Sequence, residues 1–480
     1  MKSNTLLIMP TLALLVGGCA IGPDYARPKI DAPGEYRTHD ANVSAESNAT
    51  AIEKRWWSSF KDQNLTAAVD EAMNANFDIK VASSQIDTLL GQFDQAKSNL
   101  YPHINAGASY DRKGVRNSDM SNLNNGITST YAASLTMTSY EIDLFGKVRR
   151  ATEAARAMLL SGEYNKRATQ LSIAASVASA YAALASYDAQ IEAAKENLTA
   201  AQDIEKITKA KYDVGSLSET EWLQSVAQTQ SASATLSQLE AGRIASEATF
   251  NTLLGRNPTR VSVSSIDSIE IPSVPSGIPS QILERRPDVA GAEQDLIAAN
   301  AKIGVAKAAY FPSISLTGML GNQSRELNKL FTSPARIWEV TPSISMPLFT
   351  AGLVEGQVKE AEGNKNQYLM RYQKAVVSAF NDADSSIGQN AKAKEQLEYN
   401  KKRSEAMQKA FEQAKLKYQV GYISYADMLA IQQNWLSARQ QYVISKQNAV
   451  TSTVNLYKAL GGGWDEKSLP DLPSFLPAGR

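Results

Sequence analysis

Four short segments of the chain alternate apolar and polar residues with a period of two. In the first, Ile104, Ala106, Ala108 and Tyr110 alternate with His103, Asn105, Gly107 and Ser109. The second runs from Tyr131 to Phe145 and sets Leu135 and Met137 against Ser134, Thr136 and Thr138. The third opposes Ile314, Leu316 and Leu320 to Ser313, Ser315 and Thr317. The fourth opposes Trp338, Val340, Ile344, Met346 and Leu348 to Glu339, Thr341, Ser343 and Ser345. Successive side chains of a strand point to opposite faces, so each segment is expected to form a strand between two different surroundings. The expected strands lie at about 102–113, 128–145, 311–322 and 336–349, and the links 111–127 and 321–336 read as long polar loops.

Helical sequence carries most of the remaining chain. Residues 147–211 contain no proline and one glycine, Gly162, and residues 353–417 again lack proline. Sixty-five helical residues would span roughly 97 Å at 1.5 Å per residue. Alanine fills 18 positions of the first stretch, and such small side chains let helix axes approach closely in a lateral bundle. Both stretches end at a glycine, Gly215 and Gly421, where a left-handed helix cap costs little. Shorter helices are expected to return over 219–254 and 425–460, with Ser218 and Ser424 as N-caps. Sustained heptads flanked by charge, the mark of a solitary coiled coil, are not evident.

These elements occur twice. The run Lys211-Tyr212-Asp213-Val214-Gly215 answers Lys417-Tyr418-Gln419-Val420-Gly421, and Leu254-Gly255 answers Leu460-Gly461. Ala96-Lys97 followed by Tyr101-Pro102 answers Ala306-Lys307 followed by Tyr310-Phe311-Pro312, and Leu144-Phe145-Gly146 answers Leu348-Phe349 with Gly352 close behind. Four correspondences in one order make an internal repeat. The chain divides into a signal at 1–18, an N-terminal lipidated segment at 19–62, a first repeat at 63–260, a linker at 261–278, a second repeat at 279–464 and a tail at 465–480. The fold class expected is mainly α with a β-barrel portion, each repeat supplying two strands and long helices.

The alternating strands suit a water-filled barrel in lipid, and they suit a half-buried soluble sheet equally. In lipid, four strands cannot close, because single-chain membrane barrels begin at about eight. An open edge in the bilayer leaves backbone groups without partners. Several copies must then share one barrel, and three copies give twelve strands.

The first residues read as an export signal, with Lys2 before an apolar stretch from Thr5 to Val16 that is too short to span a bilayer. Val16-Gly17-Gly18-Cys19 places small residues before a cysteine, as lipoprotein signal peptidase requires. Cys19 would carry a thioether-linked diacylglyceryl group and an amide-linked acyl chain, which together hold a protein stably on a membrane. Ala20 rather than aspartate follows it, so nothing argues for retention at the inner membrane. Cys19 is the only cysteine of 480 residues, which excludes an intramolecular disulfide. Charges balance at 49 basic and 49 acidic residues, so no basic field recruits nucleic acid. His39 and His103 are the only histidines, leaving histidine catalysis and zinc sites poorly supplied. No other cofactor is implied, and no catalytic constellation is found. Beyond the signal no apolar run is found long enough to cross a bilayer as a helix; Leu171 to Ala185 comes nearest and reads as a packed helix face.

Four motifs give the chain a specific resemblance to the TolC-like outer membrane factors, in their lipoprotein branch. They are Cys19-Ala-Ile-Gly-Pro-Asp-Tyr-Ala-Arg-Pro28, Trp56-Trp57, the run from Leu283-Glu-Arg-Arg-Pro-Asp-Val289 to Tyr310-Phe-Pro-Ser-Ile-Ser-Leu-Thr-Gly318, and Leu456-Tyr-Lys-Ala-Leu-Gly-Gly-Gly-Trp464. The resemblance implies a homotrimer with a twelve-stranded barrel in the outer membrane and an α-helical tunnel through the periplasm. A periplasmic adaptor and an inner-membrane pump of the resistance-nodulation-division class are the implied partners, and no bond changes in the duct. It further implies a periplasmic gate at the helix turns. Asp427 and its repeat partner Glu221 match family acids just beyond the turn, and Tyr418, with Tyr212 as counterpart, matches a tyrosine three residues before the turn glycine. Ala430 stands where a second aspartate is common and Ile423 where an arginine is found in the best-known pattern, so a closed state tied by an Arg–carboxylate bridge is not expected here.

Two other classes compete. A helical-hairpin adaptor lipoprotein predicts one hairpin and no four-strand set, and an extracytoplasmic enzyme lacks its chemistry. The transported substrate is not readable; drugs, metal ions, bile salts and solvents all remain open, and the eleven methionines form no soft-metal cluster.

Overall fold

The structure, a computed structural model, describes residues 20–30, 36–37, 55–115, 126–274 and 285–462. The signal, Cys19, Trp464 and the tail 465–480 lie outside the described residues. After a short 3-10 turn at Trp56–Phe60 come α1 (Gln63–Ala75), α2 (Phe77–Ser98), β1 (Ile104–Val115) and β2 (Gly126–Ile142). The long helix α3 (Lys147–Asp213) and its return α4 (Glu219–Leu253) complete the first half. The second half has α5 (Pro287–Ala308), β3 (Ser313–Ser324), β4 (Arg336–Ser345), α6 (Leu353–Gln419) and α7 (Tyr425–Ala459).

The repeat is written into the backbone. Both long helices have 67 residues and both return helices have 35. Glycines at left-handed φ recur as the pairs Gly146 and Gly352, Gly215 and Gly421, Gly255 and Gly461. At Gly255 an added Cβ would meet the Ala75 carbonyl oxygen at 2.6 Å, and at Gly461 the Arg285 carbonyl oxygen at 2.6 Å. Both sites therefore need glycine twice over, for φ and for space.

The compact units do not coincide with the repeats. One draws on residues before Lys29 together with Gln85–Gly162 and Gly291–Gln373. The other draws on Ile30–Ser84, Glu163–Ala290 and the chain from Lys374 onward. In the first unit, Gly162 lets α3 approach α2, since a Cβ there would lie 2.4 Å from Leu89 Cδ1. The second unit has an aromatic core in which Trp56 stacks on Tyr457 at 5.0 Å. Asp62 caps α1 by accepting from Leu65 N at 3.0 Å, and Tyr181 Oη donates to the same carboxylate at 3.2 Å. The Trp56-Trp57 pair is thus packing: Trp56 is fully buried, and Trp57 Nε1 donates to Asp70 Oδ1 at 3.3 Å.

One expectation is corrected. Among the described residues α3 is long and apolar enough, by length and composition alone, to cross a membrane. Half of that apolar window is buried within the protein. Val177, Ala178, Ala182 and Leu184 are fully buried, so the stripe is covered by protein, as in the core helix of a bundle.

The four strands form one antiparallel sheet in the order β1-β2-β3-β4. Met137 pairs with Gly318 but Tyr140 pairs with Leu316, so β2 carries one extra residue between them. Ser139 absorbs the irregularity at φ 26°. This bulge, unmarked by glycine or proline, re-phases the strand so that Tyr140 and Ile142 return to the face of Leu135 and Met137. The segment between β3 and β4 is shorter than the expected loop and holds two 3-10 turns, Leu327–Lys329 and Ser333–Ala335.

Candidate functional site

Register sorts the sheet into two surfaces. Leu320 lies opposite Leu135 and Trp338, and Ile314 opposite Ile142 and Ile344. With Tyr110 opposite Tyr131 and Ile104 opposite Met137, one face is apolar across all four strands. It is not a core face: Trp338 is 74% exposed and Ile344 71%. Roughly ten strand residues separate Tyr131 from Ile142, and at a tilt of about 40° they rise about 25 Å, the height of a lipid-facing band. Tyrosines mark one end, where the Tyr110 and Tyr131 rings stack at 4.7 Å. Phe145 and Phe311 stack at 4.9 Å at the other. The opposite face presents Thr317 beside Thr341 and Ser315 beside Ser343, with Glu339 opposite Met319. Polar side chains inside and an aromatic-edged apolar band outside are what a lipid-embedded conduit requires. Within the described residues β1 pairs only with β2 and β4 only with β3, so both edges are open.

The helix turns are the second surface. Gly215 has φ 72° and Gly421 φ 80°, in open space. The Gly421 and Tyr422 amides donate back to Tyr418 O and Lys417 O at 3.1 and 2.9 Å, closing the end of α6. Gly215 and Ser216 do the same to Tyr212 O and Lys211 O at 2.9 Å each. Ser218 and Ser424 are the N-caps, and the two acids complete capping boxes with them. Asp427 N donates to Ser424 Oγ at 3.1 Å, and Asp427 Oδ2 accepts from Ser424 Oγ at 2.6 Å and Ser424 N at 3.3 Å. Glu221 Oε2 accepts from Ser218 Oγ at 2.8 Å and Ser218 N at 3.2 Å. Each carboxylate thus satisfies the amide of its cap serine, and each serine hydroxyl accepts from a first-turn amide that has no helical partner. Asp427 remains exposed and Glu221 half-buried.

Tyr418 packs at 6.0 Å on the ring of Tyr425, whose phenol is held above its ordinary value by burial and by the neighbouring Tyr418. The Lys211 ammonium of the first hairpin sits over the Tyr418 ring at 5.6 Å, bringing the two hairpins of one chain together. Lys211 carried no sequence signal as a partner, because a cation over a ring leaves no fixed spacing. The counterpart Tyr212 stacks on Trp222 at 5.1 Å, beneath Lys209. Beyond the turns, Val214, Val420 and Tyr422 are exposed at 77, 68 and 83%. Leu416, Val420, Tyr422 and Ile423 help line a groove of about 620 Å³. Among the described residues no three His, Cys, Asp or Glu side chains gather as a metal site.

An amphipathic antiparallel sheet with open edges, joined to two long helical hairpins, is the build of an outer-membrane channel subunit. The chain belongs to the outer membrane efflux protein family, whose model matches residues 68–256 and 278–462. It is 32% identical over 469 residues to the probable efflux pump outer membrane protein TtgC of Pseudomonas putida, covering 97% of each chain. It is 29% identical over 463 residues to the probable outer membrane lipoprotein SilC of Salmonella typhimurium, covering 96% of this chain and 99% of SilC. Its fold matches the CmeC outer membrane channel of Campylobacter jejuni with a TM-score of 0.86 and 26% identity, over 93% of this chain and 96% of that one. The protein is accordingly an efflux channel component of the outer membrane, and a channel rather than an enzyme.

Proposed function

We propose that three copies close one twelve-stranded barrel and act as the passive exit duct of a tripartite efflux system. The observation that carries this reading is the four-stranded sheet, apolar and exposed on one face, polar on the other and unpaired at both edges. An unpaired edge in hydrocarbon strands backbone donors and acceptors at several kcal/mol each, and joining β4 of one copy to β1 of the next removes every edge. A soluble half-buried sheet would cover the face bearing Trp338 and Ile344, which is uncovered here.

The helix turns form the periplasmic gate in this reading. Symmetry turns Asp427 and Glu221 into acidic rings that favour cations near the axis, while Tyr418 with Lys211 restrains the hairpins. The exposed turn residues Val214, Val420 and Tyr422 offer apolar contacts to a periplasmic adaptor, which joins the duct to a resistance-nodulation-division pump. Acylation of Cys19 anchors each copy to outer-membrane lipid. Choice of substrate lies with pump and adaptor, and the duct passes what they deliver. Outer-membrane fractions run on a gel without heating should show a species of three chains that boiling dissociates. A monomer confined to the soluble periplasm would overturn the reading.

A further inference from the structure

The four strands hold six charged residues, and register divides them unequally between the two faces. Asp111, Lys113, Glu141 and Glu339 lie on the polar face, Glu141 opposite Ser315 and Glu339 opposite Met319. The other two, Arg112 and Arg336, lie on the apolar face, two residues from Tyr110 and Trp338 along their strands. Both are exposed, and neither has a carboxylate or hydrogen-bond partner among the described residues. The outward surface of the strands thus carries cations alone.

Both arginines stand at the same end of the sheet. β1 and β3 follow helices α2 and α5, and β2 and β4 run into α3 and α6, so all helices attach at one end. Arg112 and Arg336 are at the other, the end of the loops, which faces outward in a channel whose helices lie in the periplasm. Two residues of strand at a tilt of about 40° raise each guanidinium about 5 Å above its aromatic neighbour. Aromatic rings sit at the headgroup level, so the arginines reach the layer of lipid phosphates. A charge on the lipid face is costly at the bilayer midplane and nearly free at the interface. That explains their height, but not why both are arginine and no acid accompanies them.

The edges of the sheet supply the reason. Arg112 is on β1 and Arg336 on β4, the two unpaired strands. Closing the barrel sets Arg336 of one copy beside Arg112 of the next. With Trp338 and Tyr110 in one aromatic belt, the two positions share a level and lie roughly 6 Å apart along the membrane plane. Like charges this close oppose the seam that must form. Glu326, the one acid of the loop 325–335, is held by Lys329 at 2.8 Å. A phosphate between the guanidiniums would remove the repulsion and accept forked bonds from both.

We propose that Arg112 and Arg336 form, at each subunit seam, a site for a phosphorylated glycolipid of the outer leaflet, the lipid A part of lipopolysaccharide. This rests on the reading that three copies share one barrel. The apolar band favours a lipid over a free anion: Trp338 and Val340, directly below, are 74 and 59% exposed and offer a bed for acyl chains. The outward end favours lipid A over a phospholipid, because the phosphates of the outer leaflet are those of lipopolysaccharide.

The test uses delipidated full-length protein in detergent, titrated with lipid A and read by native mass spectrometry and by thermal dissociation of the oligomer. Wild type should take up three molecules of bisphosphorylated lipid A per trimer and dissociate at a higher temperature. Lipid A stripped of both phosphates should bind at least tenfold more weakly. Arg112→Ala and Arg336→Ala should each weaken binding about tenfold, the loss of a charge-assisted contact, whereas Lys113→Ala on the polar face should not. Equal binding of the two lipid A forms, or alanine variants that bind like wild type, overturns the proposal. So does inorganic phosphate or phosphatidylglycerol that stabilises the trimer as well as lipid A does. If an alanine variant fails to assemble, the two lipid A forms on wild type still decide. A wild-type trimer that takes up no lipid A sinks the site alone, whereas a species other than a trimer refutes the closure on which it rests.

Discussion

Asp427 holds two roles that a single substitution would confuse: it completes the cap of α7, and it would supply charge to the gate. The geometry allows them to be separated. Asp427→Asn keeps a side-chain oxygen able to accept from the Ser424 amide, now at 3.3 Å, while removing the charge. Ser424→Ala keeps the charge and removes the hydroxyl that accepts from Asp427 N at 3.1 Å and donates to Oδ2 at 2.6 Å. Losing a serine N-cap costs about 1 kcal/mol, roughly a fivefold shift in a local equilibrium. Ser424→Ala should therefore raise amide exchange in the first turn of α7 about fivefold. It should leave the cation preference in planar bilayers near wild type. Asp427→Asn should do the reverse, lowering cation preference with little change in exchange. If Asp427→Asn leaves both conductance and selectivity at wild-type values, Asp427 is a capping residue and the acidic ring is wrong. If Ser424→Ala changes selectivity as much as Asp427→Asn does, the two roles are not separable and the reasoning fails.

Gly421→Ala and Gly215→Ala should each cost about 1–2 kcal/mol, the backbone penalty of a left-handed residue, because nothing lies near the added methyl. Gly461→Ala should cost more than Gly421→Ala, since its Cβ meets a carbonyl oxygen at 2.6 Å; thermal dissociation of the proposed trimer ranks the three. Val340→Lys on the apolar face should destabilise assembly by about 2–4 kcal/mol near the bilayer midplane. Ser343→Lys on the polar face should assemble and shift selectivity towards anions, read on unheated gels and in bilayers. Asp288 is pushed up by burial but pulled further down by its bond to Arg286, at 2.7 Å, so its carboxyl titrates below the usual range. A depressed carboxylate stabilises the fold above its unfolded pKa and loses that contribution as pH falls through the folded value. Asp288→Asn should therefore flatten the loss of stability below about pH 4, followed by proteolysis across an acid series.

Regular features were legible because they are local. Period-two alternation located the four strands, and the absence of proline with a glycine at each end located the long helices. Ser218 and Ser424 announced their caps by type and place. What was not legible depends on partners far along the chain. The bulge at Ser139 follows from pairing with β3 and leaves no mark in the sequence of β2. The apolar stretch of α3 is long enough by length and composition to span a bilayer, and a hydropathy pattern does not say which helices cover it. The contact of Lys211 with Tyr418 joins two hairpins whose nearness no spacing encodes. Glu221 and Asp427 were picked out by family position, while the Ser-x-x-acid spacing that ties them to Ser218 and Ser424 as capping boxes stood in the sequence unread.

The interleaving of the compact units bears on how the chain is made. A polypeptide exported from its N-terminus delivers β1 and β2 first, yet the strand that pairs with β2 arrives only after α3, α4 and α5 have followed. Through that interval the hairpin presents an apolar face and an open edge to water, the condition under which chains aggregate. Neither repeat can finish a unit by itself, because each unit draws on both. The duplication that gives the chain two like halves thus makes its folding a matter of waiting, and a periplasmic holding chaperone is the class of helper such a nascent chain needs.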